Sequence, residues 1–185
     1  MKMAPGRKID RFMLKDGREV VARLPRKGDE RKMMRYINEL AEEKAYISVE
    51  KKKTIKDEKK FLRELLAGMK SGKKTAFVFE SGGRIIAMAD SCKGACDKDG
   101  HVCKLALGVL KDFRGAGLGN LIMRMLIDAS RKKLKCRVAR LSVYAPNKPA
   151  TSLYRKHGFR VAGRIPKGIR HCGEYIDEMI MVKEI

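Results

Sequence analysis

The sequence predicts a mixed α/β fold of the α+β kind, a single domain whose central mixed sheet has about six to seven strands and about four flanking helices. Three observations predict it. Two amphipathic segments separate the first strand-like run from the others, so helices pack against a sheet assembled from distant pieces. Three strand-like runs then follow one another between residues 75 and 110, which is the pattern of an antiparallel meander. Finally, a strand, an amphipathic helix and another strand occupy residues 102 to 145; a strand returning after a crossover helix lies parallel to the first, with a right-handed connection.

Taken in order, residues 1–17 are basic, glycine-bearing and weakly patterned, and are expected to be an extension open to disorder, ahead of one domain over 18–185. Arg18 to Leu24 reads as the first strand, ended by Pro25 and Gly28. Asp29 is placed to cap a helix in which Met33, Ile37, Leu40, Ala41 and Lys44 share a face. Thr54 and Asp57 have the spacing of a capping box, and Phe61, Leu62, Leu65, Leu66 and Met69 form the inner stripe of the second helix, weakened by Gly68 and ended by Gly72. Thr75 to Glu80 and Arg84 to Asp90 flank Ser81-Gly82-Gly83 as a hairpin. Ser91 to Gly100 is a longer connection to the strand Val102 to Leu110. After the third helix, Val138 to Ala145 returns as a strand. Asn147 and Pro149 suit the start of a fourth helix that Gly158 ends, and the strands Phe159 to Ile165 and Glu174 to Val182 close the chain around an expected loop from Pro166 to Gly173.

The 185 residues are enough for one full core, and with 44% apolar and 36% charged residues the chain reads as globular with a heavily charged surface. The amino terminus lacks the apolar run of a signal peptide and no stretch has the length of a membrane span, so the expectation is a cytoplasmic protein without a membrane partner. Lys and Arg number 44 against 22 Asp and Glu, and the net charge of +22 attracts polyanions: an acidic protein, RNA, the ribosome or the phosphates of a cofactor. Aromatic residues make up only 6% and no nucleic-acid module accompanies the charge, so a base-stacking surface is poorly supported. Assembly is left open, a homodimer included.

Residues 105 to 134 carry the sharpest signal. Leu118, Leu121, Ile122, Met125, Leu126 and Ala129 make one helical stripe. Before it, Arg114-Gly115-Ala116-Gly117-Leu118-Gly119 lies where the first helical amides have no internal partner, and glycine lets a ligand reach the bare backbone. That combination suits a phosphate. A P-loop would need Gly-Lys-Ser/Thr at the end of its spacing, and the dinucleotide fingerprint would need Gly at Asn120 and an acid about twenty residues on, near Arg137 and Val138, where there is none. Glycines serving only a tight strand-to-helix turn are the competing reading.

What remains, Arg114, Gly117 and Gly119 after a strand and opening a helix, resembles the coenzyme A pyrophosphate loop of the GCN5-related N-acetyltransferase (GNAT) superfamily. A second motif, Asn147, Ala150, Leu153, Tyr154, Gly158 and Phe159, is similar to another signature of the same superfamily, and the element order matches over roughly residues 18 to 184. The resemblance implies an acetyl-CoA-dependent enzyme that acetylates a primary amine by direct attack on the thioester. It implies two parallel strands, 102 to 110 and 138 to 145, splayed like a V around the pantetheine arm, with Leu107, Gly108 and Val109 offering backbone to it. The pyrophosphate would lie over the amides of Arg114, Gly115, Ala116, Gly117, Leu118, Gly119 and Asn120, with charge from Arg114. Asn147 would hold the pantetheine amide, and Arg155 and Lys156 would meet the nucleotide phosphates. A backbone amide near Val109 would stabilise the oxyanion, and Tyr154 would be the general acid.

The general base is not given by the motifs. The position matching the glutamate base of histone-acetylating relatives is Cys103, a poor base, leaving Glu174, Asp177, Glu178, His101 or a water chain as candidates. The resemblance places the acceptor between Ala45 to Thr54 and Pro166 to Gly173, where Lys51 to Lys53, Lys167, Arg170 and His171 predict a basic cleft suited to a peptide amino terminus, a lysine on an acidic protein, or a small amine bearing carboxylate or phosphate. Five cysteines without secretory context predict reduced thiols; Cys92, Cys96, His101 and Cys103 together raise the alternative of a zinc-bound hairpin, though neither pair has the usual two-residue spacing. An RNA- or ribosome-associated protein retaining the fold is the alternative function.

Overall fold

A computed structural model of the chain describes residues 4–185. Its sheet has eight strands in the order β1(Lys8–Met13), β2(Glu19–Arg23), β3(Lys74–Ser81), β4(Arg84–Lys93), β5(Val102–Val109), β6(Val138–Tyr144), β8(Glu174–Glu184), β7(Arg160–His171). Every neighbouring pair is antiparallel except β5 and β6, as the crossover helix between them requires. The mixed fold agrees with the sequence expectation, with one strand more. The addition is β1, inside the stretch expected to be an extension. Its residues are exposed apart from half-buried Phe12, so an edge strand of this kind leaves little hydrophobic pattern to read.

Four helices pack on this sheet: α1(Glu30–Glu42), α2(Ile55–Lys70), α3(Leu118–Lys132) and α4(Lys148–Lys156). The two faces are told apart along β4. Ser91 accepts a hydrogen bond from Ser130 of α3 at 2.8 Å, whereas Met88 and Asp90, on the alternate face, lie beside Tyr36 of α1. Thr54 and Asp57 form the capping box expected for α2. Phe61, expected inside, is 41% exposed, and the buried stripe runs through Glu58, Leu62 and Leu65 instead. In α3 the stripe is likewise turned by one position: Met123 and Ser130 are buried while Leu121 and Met125 are only half-covered, because the helix lies across three strands rather than along one groove.

Asp29 occupies the N-cap of α1 without capping it. Its carboxylate takes two hydrogen bonds from Arg23 at 2.7 and 2.8 Å and one from the Arg26 amide at 2.9 Å, and the same guanidinium reaches Glu80. Arg23 and Asp29 are sealed from solvent, so this ion cluster pins the end of β2 to the start of α1.

The expected loop from Pro166 to Gly173 is mostly strand. β7 continues to His171 after a register slip between Ile165 and Ile169, where Lys167 takes φ 54°, and the hairpin turns at Cys172 and Gly173, both with positive φ. Pro166 and Gly168 look like loop formers in the sequence, yet they fall inside the bulge, where no ladder bond is required.

Candidate active site

The site grows out of the pairing of β5. Along β4 it pairs as far as Ala87 with Val109, but along β6 only Val102, Cys103 and Lys104 have partners, Val138, Ala139 and Arg140. Beyond Lys104 the two parallel strands part, β6 staying with β8 through Tyr144. The result is the V that the sequence reading expects.

Alternation along the ladder decides which groups face the opening. Leu110 donates to Ile86 at 2.9 Å, so Leu110 and Gly108 direct their backbone groups toward β4, while Leu107 and Val109 direct theirs into the V. Of the three residues expected to offer backbone, Gly108 is therefore engaged with Met88 and serves packing instead. A Cβ on Gly108 would stand 2.5 Å from the Tyr36 hydroxyl and 3.2 Å from Leu40, so glycine here lets α1 approach the strand. Burial pushes the Tyr36 phenol well above its ordinary range.

At the mouth of the V, the chain turns through Lys111–Phe113 into the glycine loop. Gly115 and Gly117 take φ 77° and 93°, left-handed values that a side chain resists. Among the described residues, the amides of Gly115, Ala116, Gly117, Leu118 and Gly119 have no acceptor, whereas Arg114 donates to Lys111 and Asn120 to Gly117. Five successive free amides at the start of a helix fit a diphosphate. The expected span of seven is thus trimmed at both ends. Gly119 also faces α4: a Cβ there would come within 3.1 Å of Leu153.

Arg114 is placed differently from the expectation. Its guanidinium donates to the Val109 carbonyl at 2.8 Å and pairs with Glu43 just beyond α1, so it braces the end of β5 rather than reaching over the loop. Glu43 gave no signal in the sequence, being one acid among several on a polar helix end. By capturing the Val109 carbonyl, Arg114 leaves the Val109 amide as the free group at the open end of β5.

Asn147 caps α4, its side-chain oxygen accepting from Ala150 at 3.3 Å, which leaves its amide nitrogen for a ligand. Tyr154, on the inner face of α4, is 8% exposed and packs against Phe159; burial alone pushes its phenol up to about 12. Arg155 and Lys156 are exposed in the last turn of the same helix.

The base candidates separate by position. Cys103 and His101 lie at the closed end of the V, roughly 20 Å or more along the strand from Val109 at about 3.3 Å per residue. Cys103 is wholly buried beside Cys136, whose thiol is pushed up by burial first and by Cys103 second. Asp177 is held below the usual carboxylate range, chiefly by the Lys167 amide and then by Arg164. Glu174 is exposed near the hairpin tip. Glu178 sits opposite Tyr144 in the ladder and accepts from Ser142. Cys92 is half-buried and Cys96 exposed, and among the described residues no three His, Cys, Asp or Glu gather as a metal site would need.

The acceptor segments do meet. A cleft of about 380 Å³ lies between the α1–α2 connection and the β7–β8 hairpin, with Glu42, Lys44, Glu50, Tyr144, Arg170 and His171 in its wall. Tyr144 donates to the Ile47 carbonyl at 2.8 Å, Cys172 donates its amide to Glu50 at 2.9 Å, and Tyr46, Tyr144 and His171 stack together. The Tyr144 phenol is raised by burial and then by Glu178 and Glu50. The cleft is not the basic one expected. Lys51, Lys52, Lys53 and Lys167 are outside its wall, Lys52 pairing with Glu42, so the wall carries both signs.

Residues 31–159 match the acetyltransferase (GNAT) family. The chain belongs to that family. Acetyltransferases of this family use acetyl-CoA, and the free amides and open strand edge described above fit that molecule's diphosphate and amide-bearing arm. The chain is 29% identical over 83 residues to the L-amino acid N-acetyltransferase AaaT of Escherichia coli (strain K12), a match covering 45% of this chain and 51% of that protein. The chain thus spans about half the length of the curated relatives it matches. Among solved structures, a GNAT-family acetyltransferase from Streptococcus pneumoniae superposes with a TM-score of 0.80 at 22% identity, over 90% of this chain and 99% of that one. YncA from Salmonella typhimurium, solved with its cofactor acetyl-CoA, superposes with a TM-score of 0.77 at 19% identity, over 89% and 93% of the two chains. Both likenesses are of fold.

Proposed function

We propose that this GNAT protein is an acetyl-CoA-dependent N-acetyltransferase acting on a small amine that carries a carboxylate, an L-amino acid or a peptide amino terminus. The observation that carries it is continuity: the open edge of β5 at Leu107 and Val109 leads directly to five free amides at Gly115–Gly119, with Tyr154 and Asn147 on the facing helix. Acetyl-CoA supplies an activated thioester carbonyl. The Leu107 backbone and the Asn147 side chain orient the pantetheine amides, and the Val109 amide receives the negative charge that develops on the carbonyl oxygen. Tyr154, protonated at any physiological pH, delivers its proton to the departing sulfur. The ammonium must first lose a proton, and Glu178, near Tyr144, is the carboxylate we assign to that task.

The cleft supports the acceptor class. Its volume is near the lower end for ligand pockets, roughly 300 to 1,000 Å³. Arg170 and Lys44 can meet a carboxylate while Glu50 favours the ammonium, a pairing that suits a zwitterion better than a polyamine. The L-amino acid activity in the name of the Escherichia coli relative agrees.

The test has two arms. Acetyl-CoA is expected to raise the melting temperature, and Gly117→Glu to abolish that rise by placing bulk and negative charge among the free amides. Coenzyme A release should then follow from amino acids or short peptides and not from spermine. A melting temperature unmoved by millimolar acetyl-CoA overturns the donor; release with polyamines alone overturns the acceptor.

A further inference from the structure

The turn between β1 and β2 is strapped across the glycine loop. Leu14 donates to the Arg18 carbonyl at 2.9 Å and Gly17 to the Leu14 carbonyl at 3.0 Å, which fixes the turn. Arg18 then holds it down: its guanidinium lies 4.0 Å over the Phe113 ring and donates to the Asp112 carbonyl at 2.7 Å. Further along, the Lys15 amide donates to the Ala116 carbonyl at 3.3 Å. The Lys15 side chain consequently runs over Gly117, its Cγ and Cε each 3.9 Å from where a Cβ of that glycine would stand.

Two further facts bear on its charge. Asp16, the nearest acid in sequence, is committed to Arg18 at 2.5 Å, and among the described residues no carboxylate pairs with Lys15. Arg114, the cation of the loop itself, is spent on Val109 and Glu43. The Lys15 stem, with no carboxylate paired to it among the described residues, therefore lies beside the free amides, brought there from about a hundred residues earlier in the chain.

We propose that Lys15 is the cation that binds the diphosphate of the donor, in place of Arg114. The inference rests on the cofactor site proposed above. An exposed lysine suits this role, since a point charge with three donors on a long stem can meet the diphosphate oxygens from above the amides. The glycine at 117 serves the same end, because a side chain there would stand between the lysine stem and the backbone.

Binding of coenzyme A, dephospho-coenzyme A and pantetheine to the full chain, measured by calorimetry, tests it. Lys15→Met is expected to weaken coenzyme A and dephospho-coenzyme A alike, by about tenfold or more, and to leave pantetheine unchanged. Lys15→Arg should restore most of the affinity, and Lys51→Met, which removes the same charge elsewhere, should change it less than twofold. Equal affinity of Lys15→Met and the parent for coenzyme A overturns the proposal, as does a loss confined to coenzyme A, which would put the lysine on the nucleotide 3′-phosphate. Should the parent chain bind neither phosphorylated ligand, the cofactor site itself fails, a result distinct from either.

Discussion

In the proposed mechanism Tyr154 is the acid, a role its enclosure suits. Its phenol, pushed up to about 12 by burial, keeps its proton throughout the physiological range. Tyr154→Phe should lower kcat by about 100-fold or more while the Kd for coenzyme A stays within twofold, since Phe fills the same volume against Phe159. An unchanged kcat would remove Tyr154 from the mechanism. The raised value also sets a pH expectation: loss of the Tyr154 proton imposes no limb on kcat below about pH 11, so any limb near neutrality belongs to the amine or its base.

Between elements, the decisive contact is the cluster where β2 meets α1. Arg23 and Asp29 are each only 3% exposed along the side chain, so removing one charge strands the other in a dry site. Asp29→Asn should cost about 3–5 kcal/mol, read as a shift of the urea midpoint. Glu80, sharing the same guanidinium, is held at about 2 chiefly by Arg23, against an ordinary value of 4.5. A carboxylate depressed by folding adds stability that is complete above its unfolded value and fades as pH falls through its folded one. The stability of the parent should therefore decline between pH 4.5 and about 2, and Glu80→Gln should flatten that window; an identical acid profile would show that Glu80 adds nothing. The register slip in β7 works at this scale too. By bulging at Pro166–Gly168 the strand continues to His171, and that extra length carries Arg170 and His171 to the wall of the cleft beside the α1–α2 connection.

Over the whole molecule, 22 excess positive charges form a field that any anionic ligand enters. Coenzyme A should associate faster at low ionic strength, and its on-rate should fall steeply between about 50 and 500 mM salt, measurable by stopped flow. A flat dependence would mean that the charge serves another partner or is evenly screened. The mixed signs inside the acceptor cleft, by contrast, come from local pairing and not from the net charge.

The element order, the crossover, the glycine turn and the Asn147–Tyr154 signature follow from the sequence, because periodicity, caps and turn residues are local and each element carries its own pattern. The tertiary structure decided what depends on residues distant in sequence. It sent Arg114 to Glu43, placed Cys103 in the core, and turned the expected loop at 166–173 into strand. It also brought the β1–β2 turn across the glycine loop, setting Lys15 beside Gly117 although about a hundred residues separate them. An exposed edge strand and a lysine among many leave no pattern in a sequence, and only the closing of the sheet gives them a neighbour.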